Sequence, residues 1–413
     1  MKTRIKWTLF VTQAFGSAGF VVASTVTPIV GADLARRAAW AGVPTAFYWG
    51  GGALFAMVWG RLMDPLGRRR TLALGLLVGV VGATVAAAAI GARSFPVFVS
   101  GLVLMGAANA ALQLARFVSG EVHPVAERGR AIATVVMGGT VGAVFGPALV
   151  APMSVLATEV GRPGMVGPFA ASAFFFLLGS GFVAALLRPE PRDLAAALGA
   201  QTTATSTAAE PTRTIREISA DSAVRSATIA MICSQAVMTM LMVITSLEMS
   251  HNHHSLAGIS SVMSAHVVGM FGFSIISGRL ADRWGRGPLM AAGGLCLVVA
   301  GLVASRAVQV LPLAGALWLL GLGWNFVYVG GSTLLSDRLT AAERSRVQGL
   351  NDALVTGTAA VGSLLSGVVF ANLGYATMGL VCSVVALVPL WLGRRVARIT
   401  APGRLVPAVD APA

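Results

Sequence analysis

Long apolar runs alternate with short polar stretches along the whole 413-residue chain. A helix that crosses a bilayer needs about 20 mostly apolar residues. Runs of that kind fall at 7–30, 41–60, 71–92, 96–116, 131–155, 167–187, 226–248, 257–278, 288–304, 309–332, 349–370 and 375–393. The pattern predicts twelve membrane-spanning helices and an all-α membrane protein. The first run has no small-residue cleavage site after it, so it is not a removable signal segment. The longest polar stretch, 188–225, is rich in Thr, Ser, Ala and charge and reads as a flexible cytoplasmic linker. The expected organisation is a six-helix bundle over 1–187, the linker, a second six-helix bundle over 226–398 and a flexible tail over 399–413.

Composition agrees with this and excludes most other classes. Hydrophobic residues make up 56% of the chain and charged residues only 11%, against roughly 25% charged in a soluble domain. The net charge of +14 would suggest nucleic acid in a soluble protein. Here its distribution matters more. With the N-terminus inside, 24 basic residues fall on the cytoplasmic side, five (Arg36, Arg37, Arg93, Arg162, Arg306) on the other, and Arg116 within a span. The positive-inside rule then places both termini inside and removes the need for a nucleic-acid partner. The three cysteines, Cys233, Cys296 and Cys382, are too few and too scattered for a disulfide framework. No catalytic triad, phosphate loop or enzyme-type metal motif is present, so an enzyme is not expected.

The chain repeats itself. Gly60-Arg61-Leu62-Met63-Asp64-Pro65-Leu66-Gly67-Arg68 follows span two, and Gly278-Arg279-Leu280-Ala281-Asp282-Arg283-Trp284-Gly285-Arg286 follows span eight, an offset of 218. Glu127-Arg128-Gly129-Arg130 and Glu343-Arg344-Ser345-Arg346 agree at an offset of 216, each six residues after an acid, Glu121 or Asp337. Two motifs at nearly one offset make the halves repeats. The glycines allow close helix approach across a tight turn. Asp64 and Asp282 are expected to cap a helix end or pair with Arg of the neighbouring half, as a gate that opens in one state. Twelve spans, the 6+6 repeat, the central polar stretch and G-x-x-x-D-x-x-G-R in both halves resemble the major facilitator superfamily over nearly the whole chain. Pro65 departs from that pattern, where a basic residue is usual. The resemblance implies two bundles rocking about a central site.

A cargo site between such halves belongs near mid-membrane. Candidate polar groups are Asn109, Gln113 and Arg116 on span four with Glu121 at its end, Asn325 on span ten, and Asn351 and Asp352 on span eleven. Arg116, Glu121 and Asp352 are candidates for gating or proton coupling. Spans seven and eight offer softer groups. Met238 and Met242 are four apart, as are His266 and Met270, with Met263 and Met240 close by. Counting about 1.5 Å per residue from the connecting loop puts Met240 and His266 at one depth, roughly 20 Å in. The two spans, read as antiparallel neighbours, therefore present three thioethers and one imidazole at one level, a donor set that selects Cu(I). The alternatives are ordinary methionine packing and a proton-relay histidine. Cys233, and the loop residues His251, His253 and His254 beside Glu248, are secondary metal candidates.

M-x-x-x-M followed by H-x-x-x-M, 24 positions on from Met242 to His266, resembles the CcoA-type copper importers of this superfamily. That resemblance implies Met238, Met242, His266 and Met270 as ligands to a transported copper, and no resident cofactor. It also implies a monomer in the bacterial cytoplasmic membrane, copper or a small copper chelate as partner, and delivery to copper chaperones assembling cbb-type oxidase. Two other readings stay open. Gly138 to Pro147 on span five loosely resembles the G-x-x-x-G-P motif of proton-coupled exporters of small organic molecules, beside a plain close-packed helix. A copper-binding sensor without transport is the third.

Overall fold

Apolar surroundings force the backbone to satisfy its own hydrogen bonds, and helices do so within one segment. The structure, a computed structural model, describes residues 2–123, 125–191, 193–194 and 213–399, and within these every regular element is helical. The first half contains Lys2–Ala35, Val43–Leu66, Arg68–Gly91, Phe95–Glu121, the pair Val125–Phe145 and Val150–Glu159 joined through a turn at Pro147–Leu149, and Val166–Leu186. The second contains Ser222–His251, the bent span eight (Leu256–Val267, a π-helical turn at Val268–Gly272, then Ser274–Trp284), Arg286–Ala304 and Val310–Asp337. Spans eleven and twelve run through Ala341–Ile399 and are separated at Gly374, whose φ of 75° breaks the helix. Pro44 and Pro96 lie in the first turns of their helices, where proline's missing N–H costs nothing. A helical segment covers each of the twelve expected runs, and among the described residues nine helices, ten with the bent span eight, are long and apolar enough to cross a membrane.

The polar stretch between the halves holds more structure than its composition suggests. Thr214 accepts from the Glu217 N–H and Glu217 accepts from the Thr214 N–H, a capping box that starts the helix Ile215–Ala220. Asp221 then caps Ser222–His251, so span seven begins four residues before the expected 226. Residues 195–212 and the tail 400–413, expected to be flexible, lie outside the described residues.

Each half has its own apolar core, but the two cores join on the face away from the basic residues. There Ile29, Ala32 and Ala41 of the first half are part of the second half's core. Gly42 meets the Ser363 carbonyl, and Gly367 meets the Ala39 carbonyl, so closely that neither leaves room for a Cβ. Midway, Val21 and Ala143 pack on Val267, with Phe20 and Phe271 at the edges. Towards the basic face the halves part: Leu54 and Met57 of span two, Met137 of span five, and Leu350 and Leu354 of span eleven are exposed. Among the ion pairs of the described residues, Arg116–Asp352 at 3.9 Å bridges the bundles.

Candidate functional site

The two repeated hairpins on the basic face are built alike. Arg68 pairs with Asp64 at 3.3 Å and with Glu121 at 3.0 Å. Arg286 pairs with Asp282 at 3.5 Å and with Asp337 at 2.9 Å. Gly67 and Gly285, with φ of 83° and 93°, make the turns that present each arginine. Gly60 and Gly278 face open space. The hydrogen bond to Glu121 raises the Arg68 pKa above its ordinary value. These contacts run within each half. Asp282, expected to cap a helix end or to pair with an arginine of the other half, is seen with Arg286 of its own half.

Beyond the hairpins the copies diverge. Glu343 is buried, and its carboxylate accepts from Arg213 Nε at 2.9 Å and Arg213 Nη2 at 2.8 Å. It also accepts from the Thr340 backbone N–H at 3.0 Å. The Arg213 hydrogen bond holds the Glu343 pKa well below the usual carboxylate range. Glu127, its counterpart, is exposed. The end of the central polar stretch is thereby fastened to the loop between spans ten and eleven.

Spans seven and eight do not pack side by side as assumed above. They meet only sparsely, and span ten packs against both. Glycines allow this crossing: Gly269 lies on the Trp318 carbonyl and Gly321 on the His266 carbonyl. His266 is fully buried and turned onto span ten, its Nδ1 3.0 Å from the Leu317 carbonyl. That contact fixes Nδ1 as the protonated nitrogen and leaves Nε2 buried with no partner. Met270 sits in the π-helical turn, where Asn325 Nδ2 takes its carbonyl at 2.7 Å and Asn325 also bonds Ser274 and Ser277. Capture of that carbonyl by a side chain explains why the helix opens here. Met238 and Met263 are buried in the core, and Met240, Met242 and Met270 border it.

The loop histidines are turned apart. His254 Nε2 lies 2.8 Å from the Val308 carbonyl, and His251 packs on Phe370. His253 has φ 58° and is exposed, while Glu248 accepts from Asn252. Among the described residues no three His, Cys, Asp or Glu side chains are grouped to hold a metal. Cys233 and Cys296 are half-buried and Cys382 is buried, all as free thiols. On span five, Gly138 and Gly142 lie against the Phe10 and Ala14 carbonyls of span one, which is the packing use of that glycine run.

A group that the sequence reading passed over stands between the halves. Trp324 and Tyr328, four apart on span ten, stack with ring centres 5.0 Å apart and planes at 15°. Trp324 Nε1–H donates to Gln235 Oε1 at 2.9 Å, and Gln235 Nε2 donates to Thr239 at 3.0 Å. The Tyr328 hydroxyl donates to Asp352 at 3.4 Å, and Asp352 faces Arg116. Asn109, Gln113 and Arg116 share one face of span four by their spacing, and Arg116 of that face meets Asp352. Both rings are part-buried, so each keeps some free surface. The i,i+4 spacing of two polar-tipped aromatics in an apolar span was the available signal.

A sequence profile of the Major Facilitator Superfamily matches residues 9–226 and again 227–409. YdeG of Bacillus subtilis (strain 168), an MFS-type transporter, is 33% identical over 392 residues, covering 94% of this chain and 91% of YdeG. The riboflavin transporter RfnT of Brucella anthropi is 30% identical over 383 residues, 92% of each chain. Among solved structures, a bacterial homologue of the human lysosomal transporter Spinster superposes with a TM-score of 0.75 at 15% identity, covering 98% of this chain and 99% of the other.

Proposed function

The chain belongs to the Major Facilitator Superfamily, a secondary transporter and not an enzyme, and from that premise we propose that it moves a small planar organic solute by alternating access. The Trp324–Tyr328 stack carries the reading. Two aromatic faces with tethered polar tips, set between the bundles, offer dispersion to a flat ring and hydrogen bonds to its edge. Asp352 and Arg116 supply those bonds, and Gln235 fixes the Trp324 ring. RfnT supports it, since a flavin is a planar ring with a polar edge. The basic face lies in the cytoplasm by the positive-inside rule. The parted basic face and sealed opposite face then make this an inward-open state, and rocking about Val21, Ala143 and Val267 exposes the wall to the other side.

Copper import is the second reading, and His266 is the observation that favours it. A buried imidazole with one nitrogen fixed and the other unpartnered is poised as a ligand. Met238, Met242 and Met270 are the soft donors that would join it around a Cu(I) cargo. Such a transporter would import the ion across the bacterial cytoplasmic membrane for cbb-type oxidase assembly. It ranks second because spans seven and eight, which carry the methionine pair and the imidazole, meet only sparsely.

One titration set separates the two. Purified transporter is titrated with riboflavin by tryptophan quenching, and with Cu(I) by competition against bicinchoninate. The planar-solute reading expects flavin binding that weakens at least tenfold in Trp324→Ala and persists in His266→Ala. Stoichiometric Cu(I) binding lost in His266→Ala and Met242→Ala, with no flavin response, would replace it with the copper reading.

A further inference from the structure

We propose that Arg116 is the receptor for an acidic group on the transported solute, and that Asp352 occupies that place when the solute is absent. This rests on the planar-solute reading and adds the charge of the solute to it.

Arg116 is the least satisfied arginine of the described ion pairs that reach across helices inside the fold. Its pair with Asp352 spans 3.9 Å, whereas Arg213–Glu343, Arg286–Asp337 and Arg68–Glu121 close to 2.8, 2.9 and 3.0 Å. Its Nε–H is buried with no acceptor. A buried donor without a partner is costly, more so on a charged group. Guanidinium–carboxylate pairs normally use two parallel N–H donors, and here one of them is idle. The Phe117 ring, 4.9 Å below the guanidinium, keeps the cation in place without consuming a donor.

The site is open on the side that matters. The Arg116 and Asp352 side chains are 35% and 47% exposed, and a pair joining the two bundles lies between them. Asp352 is held on its other oxygen by Tyr328, which is stacked on Trp324. A ring lying on that stack therefore brings its edge to Arg116. A carboxylate, phosphate or acidic imide there can take the Nη2–H, and the idle Nε–H once the guanidinium turns to meet it. Asp352 would then keep only Tyr328, and an ionic tie between the bundles would be exchanged for a tie through the solute. Occupancy would so be coupled to the contact that spans the halves.

The test uses the full-length protein in detergent with 2-naphthoate and the neutral isostere 2-naphthamide, read by tryptophan quenching. The expected result is at least tenfold tighter binding of the anion to wild type, a preference abolished in Arg116→Gln. Asp352→Asn, which removes the competitor, should tighten naphthoate several-fold and so widen its preference over naphthamide. Equal binding of the two probes, an anion preference that survives Arg116→Gln, or weaker naphthoate binding in Asp352→Asn would each overturn the assignment. Failure of both probes to bind, in wild type as in Trp324→Ala, would instead remove the planar-solute reading on which the assignment stands, and the assignment with it.

Discussion

The first and second halves are copies at their hairpins and differ mid-membrane, where the proposed site lies. Their hairpins on the basic face carry the same arginine with the same two acids, Arg68 with Asp64 and Glu121, Arg286 with Asp282 and Asp337. Mid-membrane, the correspondence ends. At the offset of 218, His266 stands where the first half has Tyr48, Met238 where it has Phe20, and Met270 where it has Gly52. At the offset of 216, Arg116 faces a counterpart Ser332, and Asp352 a counterpart Val136. A rocking device needs equivalent hinges and latches on both sides. An asymmetric solute needs unlike walls. The repeat thus separates residues of the mechanism from residues of the site without reference to any ligand.

The seal on the face opposite the basic one gives the hardest way to break this symmetry. Gly42 on the Ser363 carbonyl and Gly367 on the Ala39 carbonyl place one half's glycine against the other half's backbone in both directions. Gly42→Leu should force the ends apart at a cost of about 3 kcal/mol or more, which is roughly a hundredfold shift in the conformational equilibrium. A single cysteine at Ser24 in a cysteine-free background reads it. An impermeant maleimide added at the sealed face should label the Gly42→Leu protein and spare the parent. Gly367→Leu should match it, and labelling in only one of the two would show that the seal is not symmetric.

Next in size is the divergence between Glu343 and Glu127. Glu343 is buried and clamps Arg213, whereas Glu127 is exposed. Glu343→Gln should lower the Tm by a few degrees at pH 7, and Glu127→Gln should leave it within error. The pH dependence has a fixed sign. The folded Glu343 pKa lies below its unfolded value near 4.3 because Arg213 donates to it. Its stabilisation is therefore complete above about pH 4.3 and is lost as the pH falls towards the folded value. The gap in Tm between wild type and Glu343→Gln should be constant from pH 6 to 8 and shrink below pH 4. A gap that widens on acidification would contradict the clamp.

How much of this was legible in the sequence depended on distance along the chain. The twelve spans were, because each is a local run long enough to cross a bilayer. The hairpins were, because Gly67 and Arg68 are neighbours. The pairing of Arg116 with Asp352 was not: both stood out as intramembrane charges, but only the assembled bundles bring span four to span eleven. Trp324 and Tyr328 were hidden among apolar residues, their stacking invisible to a hydropathy count. The methionine and histidine stripe was read from a loop and a rise per residue. That reasoning fixed depth well and packing partner poorly, since it could not see the glycines that let span ten pack on span eight.

The arginines of the hairpins give a smaller and more even effect. Arg68→Ala and Arg286→Ala should each cost about 1 kcal/mol, because the pairs are part-exposed. The two thermal shifts should agree within the error of a differential scan. Unequal shifts would mean that one hairpin carries the closed state alone, and the claim of two equivalent latches would fail.

Pro65 is where the first hairpin departs from the second, and it sharpens the comparison at its weakest point. It lies in the last turn of Val43–Leu66, where it removes one backbone donor. Its counterpart Arg283 is exposed and makes none of the ion pairs that hold Arg286. Pro65→Arg therefore restores a helix hydrogen bond worth about 1 kcal/mol. It also returns roughly 0.4–1 kcal/mol of conformational freedom to the unfolded chain. The two nearly cancel, so the Tm should move by no more than about 2 °C in either direction, with labelling at Ser24→Cys unchanged. A large gain in stability would show that the basic residue of this motif makes contacts in a state with the halves closed on the basic face, and that the two hairpins are equivalent in only one of the two conformations.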